Sequence, residues 1–204
     1  FTRRVRKGSD RYIPDAIIDV TNFPTTAKQR ELRDLANGIA QEWVTPVNPA
    51  PTRPAIMDLL MRRAPKLKTL ESLPTPDPDN YLPAVIAAVE DLNESVLAIQ
   101  GPPGSGKTYL ASRTIAHLIA SGKTVAVTAT SHSAIDNVLE ACVDAGVPVD
   151  LIMKAQKDAP PQRWATKDTS PAATWLRRQE GALLIAGTSY FFSNERVRER
   201  QVDY

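Results

Sequence analysis

Short apolar runs alternate with helical patterns through the second part of the chain. Segments 107–121 and 133–145 have helical periodicity, and each ends near a glycine, Gly122 or Gly146, of the kind that commonly stops helices. This alternation predicts an α/β fold with a parallel sheet, because strands buried on both faces are apolar at successive positions. The predicted strands are VLAIQ (96–100), TVAVTA (124–129), VDLIM (149–153) and LLIAG (183–187).

Helical patterns without strand patterns fill the first part of the chain. They cover segments 26–44 and 55–63, and a third helical pattern at 79–92 precedes the first apolar run. Prolines clustered at 46–54 and 74–78 predict extended linkers. We therefore predict a mainly helical region over residues 1–75 and an α/β domain over residues 76–204. The apolar face predicted for the first helix comprises Leu32, Leu35, Ala36, Ile39 and Trp43.

The loop after the first apolar run has the pattern G-x-x-x-x-G-K-[ST], filled by Gly101, Gly106, Lys107 and Thr108. Such a loop turns its backbone N–H groups around phosphates, and the helix that follows adds a partial positive charge. Lys107 is expected to span the β- and γ-phosphates and the Thr108 hydroxyl to ligate Mg²⁺, which makes both the candidate catalytic residues. The predicted ATP site comprises Gln100, Gly101, Pro102, Pro103, Gly104, Ser105, Gly106, Lys107, Thr108 and Tyr109.

Polar residues follow the second apolar run, from Thr130 to Ser133, where the chain passes into a helix. Ligands bind at the carboxyl ends of parallel strands, so these side chains are candidates for phosphate contacts. In the alternative interpretation Ser131 or Ser133 caps the helix, and His132 is a surface histidine. The residues by themselves leave both interpretations open.

Composition adds little to this picture. Hydrophobic residues make up 42% and charged residues 24% of the chain, and the formal net charge is +2, which identifies no nucleic-acid partner. Basic clusters at 3–7, 62–68 and 175–179 are candidate phosphate contacts or solvated faces. Cys142 is the single cysteine, so we expect a reducing compartment, the cytoplasm. No apolar run approaches the roughly 18 residues of a membrane span.

Two stretches together resemble motifs I and Ia of superfamily 1 helicases, in the 5′→3′ branch. They are IQGPPGSGKT (99–108) and VTATSHSAIDNVL (127–139), and the second is especially similar to bacterial proteins in which a RecB-like nuclease precedes the helicase. The resemblance extends over about residues 80–204. It implies a P-loop NTPase domain of the RecA-like kind, in which motif I binds ATP and Mg²⁺ and motif Ia touches a single strand.

Further roles come from the resemblance. It implies that Asp136 supports the motif Ia loop, and that Tyr190 or Phe191 stacks on a base unless it packs in the core. It also implies single-stranded DNA as partner, with RNA as an alternative, a second motor domain and a nuclease fused upstream. The nucleic-acid contacts it implies are Ser131, His132, Asn137, Gly187 and Thr188.

The sequence departs from the helicase pattern at several points. Ser105 stands where threonine is commoner, and Asn80 or Tyr81 would have to replace the glutamine that reads adenine. The sequence contains no D-E-x-x strand for Mg²⁺. We expect the 204 residues to be part of a longer protein and to hydrolyse ATP negligibly when they are isolated from it. Two alternatives are a kinase-like P-loop enzyme acting on a small molecule, and a nucleotide or nucleic-acid binding module without turnover.

Overall fold

The computed structural model describes residues 25–44, 55–198 and 202–204, without the side chains of residues 41–44, 196 and 198. Within these ranges no helix combines the length and apolarity that a bilayer crossing requires. The helices are α1 (Thr26–Val44), α2 (Ala55–Leu60), α3 (Leu82–Glu90), α4 (Lys107–Ala120), α5 (His132–Asp144), α6 (Thr169–Arg178), α7 (Ser189–Phe192) and α8 (Glu195–Arg198). The strands are β1 (Thr124–Ala129), β2 (Ile152–Ala155), β3 (Ala165–Lys167) and β4 (Leu183–Thr188).

The four strands form one parallel sheet in the order β1-β4-β2-β3. In the β1–β4 pair Thr124 lies opposite Leu183 and Ala129 lies opposite Thr188, so β1 and β4 end at the same level. The first five residues of β4 are buried, because helices cover both faces of the sheet. The predicted α/β fold with a parallel sheet of the P-loop NTPase type is confirmed.

Two apolar cores lie on opposite faces of the sheet. Ile152 and Leu184 point to the first core, which α4 and α5 cover with Leu118, Ile135 and Leu139 among others. The next residues along the same strands, Met153 and Ile185, point to the second core, which α6, α7 and α8 cover with Leu176, Phe191 and Val197. This alternation follows from the two-residue period of a strand and produces three layers, helix, sheet and helix.

The prediction of a strand at 96–100 is wrong. These residues join no strand of the sheet, and Ile99 is 46% exposed. The free edge of β1 bonds instead to the segment 202–204, with the Ala126 N–H donating to the Tyr204 carbonyl over 2.8 Å. A gap of about 460 Å³ separates Asn93–Ser95 from Asp203 and Tyr204. Because a strand needs a neighbour for its main-chain hydrogen bonds, the apolar segment 96–100 forms no strand.

Segment 158–171 has the proline-rich composition of a loop but contains regular structure. Residues 165–167 form the edge strand β3, and Asp168 starts α6 by accepting a hydrogen bond from the Thr169 N–H over 2.7 Å. Trp164 is 5% exposed and packs in the first core, so it anchors the segment. A three-residue strand is shorter than any periodicity can reveal, which is why the pattern missed it.

The N-terminal helices contact the sheet domain mainly through polar groups. Leu32, on the predicted apolar face of α1, is 67% exposed, whereas Lys28 lies 3.7 Å above the ring of Tyr190 and Arg30 forms an ion pair with Glu195. Leu35 and Ile39, on the same predicted face, are half-buried. The periodicity therefore predicted the helix and part of its buried face. The basic cluster at 3–7 lies outside the described residues.

A carboxylate ties the segment before α3 to the end of that helix. Asp91 accepts hydrogen bonds from the Thr69 hydroxyl over 2.7 Å and from the main-chain N–H groups of Thr69 and Leu70. The Thr69 hydroxyl, followed by the Leu70 N–H, holds the pKa of Asp91 below its ordinary value. In the predicted basic cluster at 62–68, Lys68 donates to the Glu90 carbonyl and Lys66 lies 3.7 Å from Asp58, so both lysines have structural partners.

Candidate functional site

The glycine-rich loop between residues 101 and 106 is tightly folded. Gly106 precedes α4 with a φ of 78°, in the left-handed region that favours glycine. A Cβ on Gly101 would lie 2.5 Å from the Ser105 hydroxyl oxygen, so a side chain at position 101 would force this hydroxyl to rotate away. Glycine is therefore favoured at each of the two positions for a different physical reason.

Lys107 folds back over the centre of this loop. Its ammonium donates to the carbonyls of Gly101 and Pro102, both over 2.6 Å, and lies 3.4 Å from the Ser105 hydroxyl. Among the residues that the structure describes, no carboxylate lies within ion-pair distance of this ammonium. Neutral acceptors hold a charge less strongly than phosphate oxygens do, so the loop and its lysine fit a polyphosphate.

A cleft of about 670 Å³ lies beside the loop. It brings Asn80 and Tyr81 together with Gln100 and Tyr109, although twenty residues separate the two pairs in sequence. Both tyrosine rings are more than half exposed, and the guanidinium of Arg113 lies 3.7 Å above the ring of Tyr109. Planar rings and an amide at the rim suit a nucleobase. Seven predicted ATP-site residues line the cleft: Gln100, Gly101, Pro102, Ser105, Gly106, Lys107 and Tyr109.

The other three predicted residues, Pro103, Gly104 and Thr108, are exposed on the loop and the first turn of α4. The described residues include no cluster of three or more histidine, cysteine or acidic side chains that could hold a metal ion. The hydroxyl of Thr108 remains the candidate ligand, and it would need phosphate oxygens as co-ligands. Such sharing with substrate phosphates is the usual way in which proteins bind Mg²⁺.

The polar loop after β1 is built around a helix cap. The Ser131 hydroxyl accepts a hydrogen bond from the Ala134 N–H over 3.2 Å, so the capping role expected for Ser131 or Ser133 belongs to Ser131. Because Ala129 lies opposite Thr188, this loop stands next to the end of β4. Asn137 is exposed in the second turn of α5.

His132 is half-buried in the first turn of α5. Its Nδ1 is buried and has no hydrogen-bond partner among the described residues. Burial of the ring, and next the positive charge of Lys154, lower the pKa of His132. Both effects favour the neutral imidazole, which can donate one hydrogen bond to a phosphate oxygen.

Lys154 is a buried partner of this loop that the sequence reading missed. It lies in β2 with no exposed surface, and its ammonium forms a 2.5 Å salt bridge with Asp136 in α5. It also lies 3.5 Å from the carbonyl of His132. The predicted supporting role of Asp136 thus has a concrete partner. The two-residue period of a strand could have indicated its burial, since Lys154 faces the same side of the sheet as the core residue Ile152.

The residues after β4 divide between core and surface. Thr188 is half-buried at the strand end, and Tyr190 is 42% exposed with Lys28 above its ring. Phe191 is 3% exposed and meets Phe192 edge to face, with 5.0 Å between the ring centroids. The expectation that at least one of these aromatic residues packs in the core is met by Phe191.

Gly187→Ala is expected to destabilise the fold by about 1–3 kcal/mol, since crowding a packed core costs that much. A Cβ at position 187 would lie 2.7 Å from Cδ1 of Phe191. Urea unfolding followed by circular dichroism measures the effect. Gly38→Ala in α1 is the matched control, because a Cβ there meets nothing within 4 Å. The control gains up to about 1 kcal/mol from helix propensity, and equal effects of the two substitutions would refute the crowding.

The two loops of the candidate site lie at the same edge of the sheet. The helix α4 runs back to the start of β1, and α5 leaves from the end of β1, so both helix N-termini stand at the carboxyl edge. The two helices also pack against each other on one face. The structure therefore brings the glycine-rich loop, the loop Thr130–Ser133 and the end of β4 to one side of the molecule.

Comparison with known families matches residues 84–171 to a family model described as an AAA domain. Domains of this family belong to the superfamily 1 helicase-like group. The matched range includes the glycine-rich loop, the helices α4 and α5, and β1 between them. No curated protein and no solved structure matches the chain.

Proposed function

We propose that this chain is the ATP-binding part of an ATP-dependent helicase or translocase that moves along single-stranded DNA. The observation that carries the proposal is the pairing of a phosphate loop and base-sized cleft with a second polar loop at the same sheet edge. A nucleotide site alone would suit many enzymes. The AAA-domain match over residues 84–171 favours the helicase-like group.

On the nucleotide side, Lys107 exchanges the carbonyls of Gly101 and Pro102 for oxygens of the β- and γ-phosphates. The main-chain N–H groups of the loop and the first turn of α4 surround the same phosphates. The Thr108 hydroxyl would hold Mg²⁺, and the bound metal would neutralise phosphate charge. The base lies in the cleft, where Tyr81 and Tyr109 offer ring faces and Asn80 an amide.

On the nucleic-acid side, Ser131, His132, Asn137 and Thr188 face a single strand laid across the ends of β1 and β4. Neutral His132 and the hydroxyls donate hydrogen bonds to phosphate oxygens, and the N-terminus of α5 adds a partial positive charge. The helix α5 packs directly on α4, so a change in the phosphate loop reaches the strand contacts through one helix pair. Gly187 contributes through its main chain.

Hydrolysis needs groups that the 204 residues do not supply in the helicase pattern. We assign the acidic Mg²⁺ ligands and the arginines that stabilise transition-state charge to other parts of the motor, including a second motor domain across the cleft. From the resemblance to bacterial nuclease–helicase proteins, the proposal also includes a nuclease fused upstream of the helicase. We place the activity in the cytoplasm, where the buried thiol of Cys142 stays reduced.

Linked binding of nucleotide and strand tests the proposal. A fluorescent oligothymidine is titrated with the 204-residue chain at low salt, with and without a non-hydrolysable ATP analogue and Mg²⁺. We expect strand binding whose affinity changes severalfold when the analogue is added, because sites coupled through a common helix pair affect each other reciprocally. His132→Ala should weaken strand binding but leave nucleotide binding intact.

Other outcomes select the alternatives. Nucleotide binding without any strand binding, to DNA or to RNA, would overturn the motor and favour a small-molecule P-loop enzyme. Binding of both ligands without coupling would favour a binding module. An oligouridine of the same length, titrated in parallel, decides between DNA and RNA.

A further inference from the structure

The outer face of α6 carries a groove of about 440 Å³ on the side of the sheet opposite to α4 and α5. Ala172, Ala173 and Leu176 are buried in the second core. Trp175 is half-buried against that core, so part of its ring remains on the outer face of the helix. Three groove residues recur every four positions, which places them one above the other. The groove is lined by Lys167, Ser170, Pro171, Thr174, Trp175 and Arg178.

The chemistry of this groove is cationic and aromatic. Lys167 and Arg178 make no ion pair in the described part of the chain, and no acidic residue lines the groove. By contrast, Arg30, Lys154 and Arg163 each lie beside a carboxylate. Two unpaired cations around an indole and two hydroxyls suit a polyanion that also carries flat rings.

A second groove connects this surface to the end of β4. It has a volume of about 430 Å³ and shares Ser170 with the first groove. Its other lining residues belong to α1 and to the segment after α7, where the single acid, Glu195, is paired with Arg30. From there Lys28 reaches the ring of Tyr190. Polar and cationic groups therefore continue from the strand end at Thr188 to the last turn of α6.

We propose that this surface, from Tyr190 through Ser170 to Arg178, binds the continuation of the single strand beyond Thr188. Lys167 and Arg178 contact successive phosphates, and Trp175 stacks on a base between them. Stacking on an aromatic face tolerates every base, which a protein moving along a strand requires. The inference rests on the proposed function, since it extends the same strand path across the far face of the molecule.

The test compares Lys167→Ala/Arg178→Ala with the control Lys123→Ala/Lys157→Ala in the 204-residue chain. Both pairs remove two positive charges from exposed side chains. Oligothymidines of about 6 and about 16 nucleotides, a range that spans typical single-strand site sizes, are titrated at several salt concentrations. For the longer strand, the groove variant is expected to lose about fivefold or more in affinity. Its slope of log K against log salt falls by about 1.4, which is two phosphate contacts.

Tryptophan emission supplies a second readout. Stacking quenches Trp175, so the longer oligothymidine is expected to quench the wild type more than the Trp175→Phe variant. The shorter oligothymidine should show the smaller difference. Phenylalanine keeps an aromatic ring against the second core, and urea unfolding verifies that each variant remains folded.

The outcomes separate this inference from the proposed function. Equal affinities and salt slopes for the groove variant and its control, with His132→Ala still weakening the strand, would overturn the groove and leave the motor standing. Absence of strand binding by the wild type would overturn both. A groove effect that is already complete with the shorter strand would also contradict the proposed continuation.

Discussion

Lys107→Ala is expected to lower the affinity for ATP by about a hundredfold, which corresponds to about 2.7 kcal/mol. The substitution removes the one ammonium at the centre of the phosphate loop, and hydrogen bonds to charged groups contribute about 1.5–3 kcal/mol each. The fold should be unaffected, because the Lys107 partners are the exposed loop carbonyls of Gly101 and Pro102 and the Ser105 hydroxyl. Titration with a fluorescent ATP analogue measures the affinity, and thermal unfolding tests the fold.

Two comparisons sharpen this experiment. Lys123→Ala removes an exposed lysine just beyond α4 and changes the net charge equally, so it should leave ATP binding unchanged. Lys107→Arg keeps the charge but replaces a compact ammonium by a planar fork, and it should bind ATP weakly. Wild-type affinity in Lys107→Ala would show that the nucleotide, if bound, lies elsewhere.

Asp136→Asn is expected to destabilise the fold by about 3 kcal/mol or more, and Lys154→Met by only about 1 kcal/mol. The two substitutions differ in expected effect because the two charged side chains differ in exposure. Losing the carboxylate leaves the ammonium of Lys154 fully buried without a counter-charge, whereas the carboxylate of Asp136 is 30% exposed and can turn to water. Methionine fills nearly the volume of the lysine stem, so little packing is lost. Urea unfolding of both variants at one pH measures the difference.

The double variant Lys154→Met/Asp136→Asn completes the cycle. With both charges gone, it should be more stable than Asp136→Asn alone, because no unpaired buried charge remains. Strand affinity of the folded Lys154→Met variant then reports whether the pair positions the loop around His132. Equal losses of stability in the two single variants would contradict the expectation that Asp136→Asn leaves a buried ammonium without a counter-charge.

The sequence predicted the parts of the fold that depend on local periodicity. The helix α4 and the strands β1 and β4 lie within a residue or two of their apolar patterns, because each has neighbours along its whole length. Residues 96–100 have an equally apolar composition and still fail to join the sheet, because strand formation requires a partner at the correct edge. Periodicity shows which side chains of a segment are apolar, but it does not show whether a partner strand lies beside that segment.

In the candidate site, too, local sequence patterns predicted some features and contacts between distant segments determined the others. The glycine-rich loop is contiguous in sequence, so spacing alone was enough to predict roles for Lys107 and Thr108. The cleft that joins Asn80 and Tyr81 to Tyr109, and the salt bridge that joins Lys154 to Asp136, bring together residues 18 or more positions apart. No local pattern contains such contacts, because they arise from how α3, α4 and α5 sit on the sheet.

The outer edge of β1 has a consequence for handling the protein in solution. Segment 202–204 reaches only Thr124 and Ala126, so in the described part of the chain the edge from Thr128 onward is covered by no strand. Uncovered strand edges are templates for pairing with another molecule, and here no proline or buried charge blocks the approach. At high concentration we expect this edge to pair with the same edge of a second chain, and dilution should reduce that association.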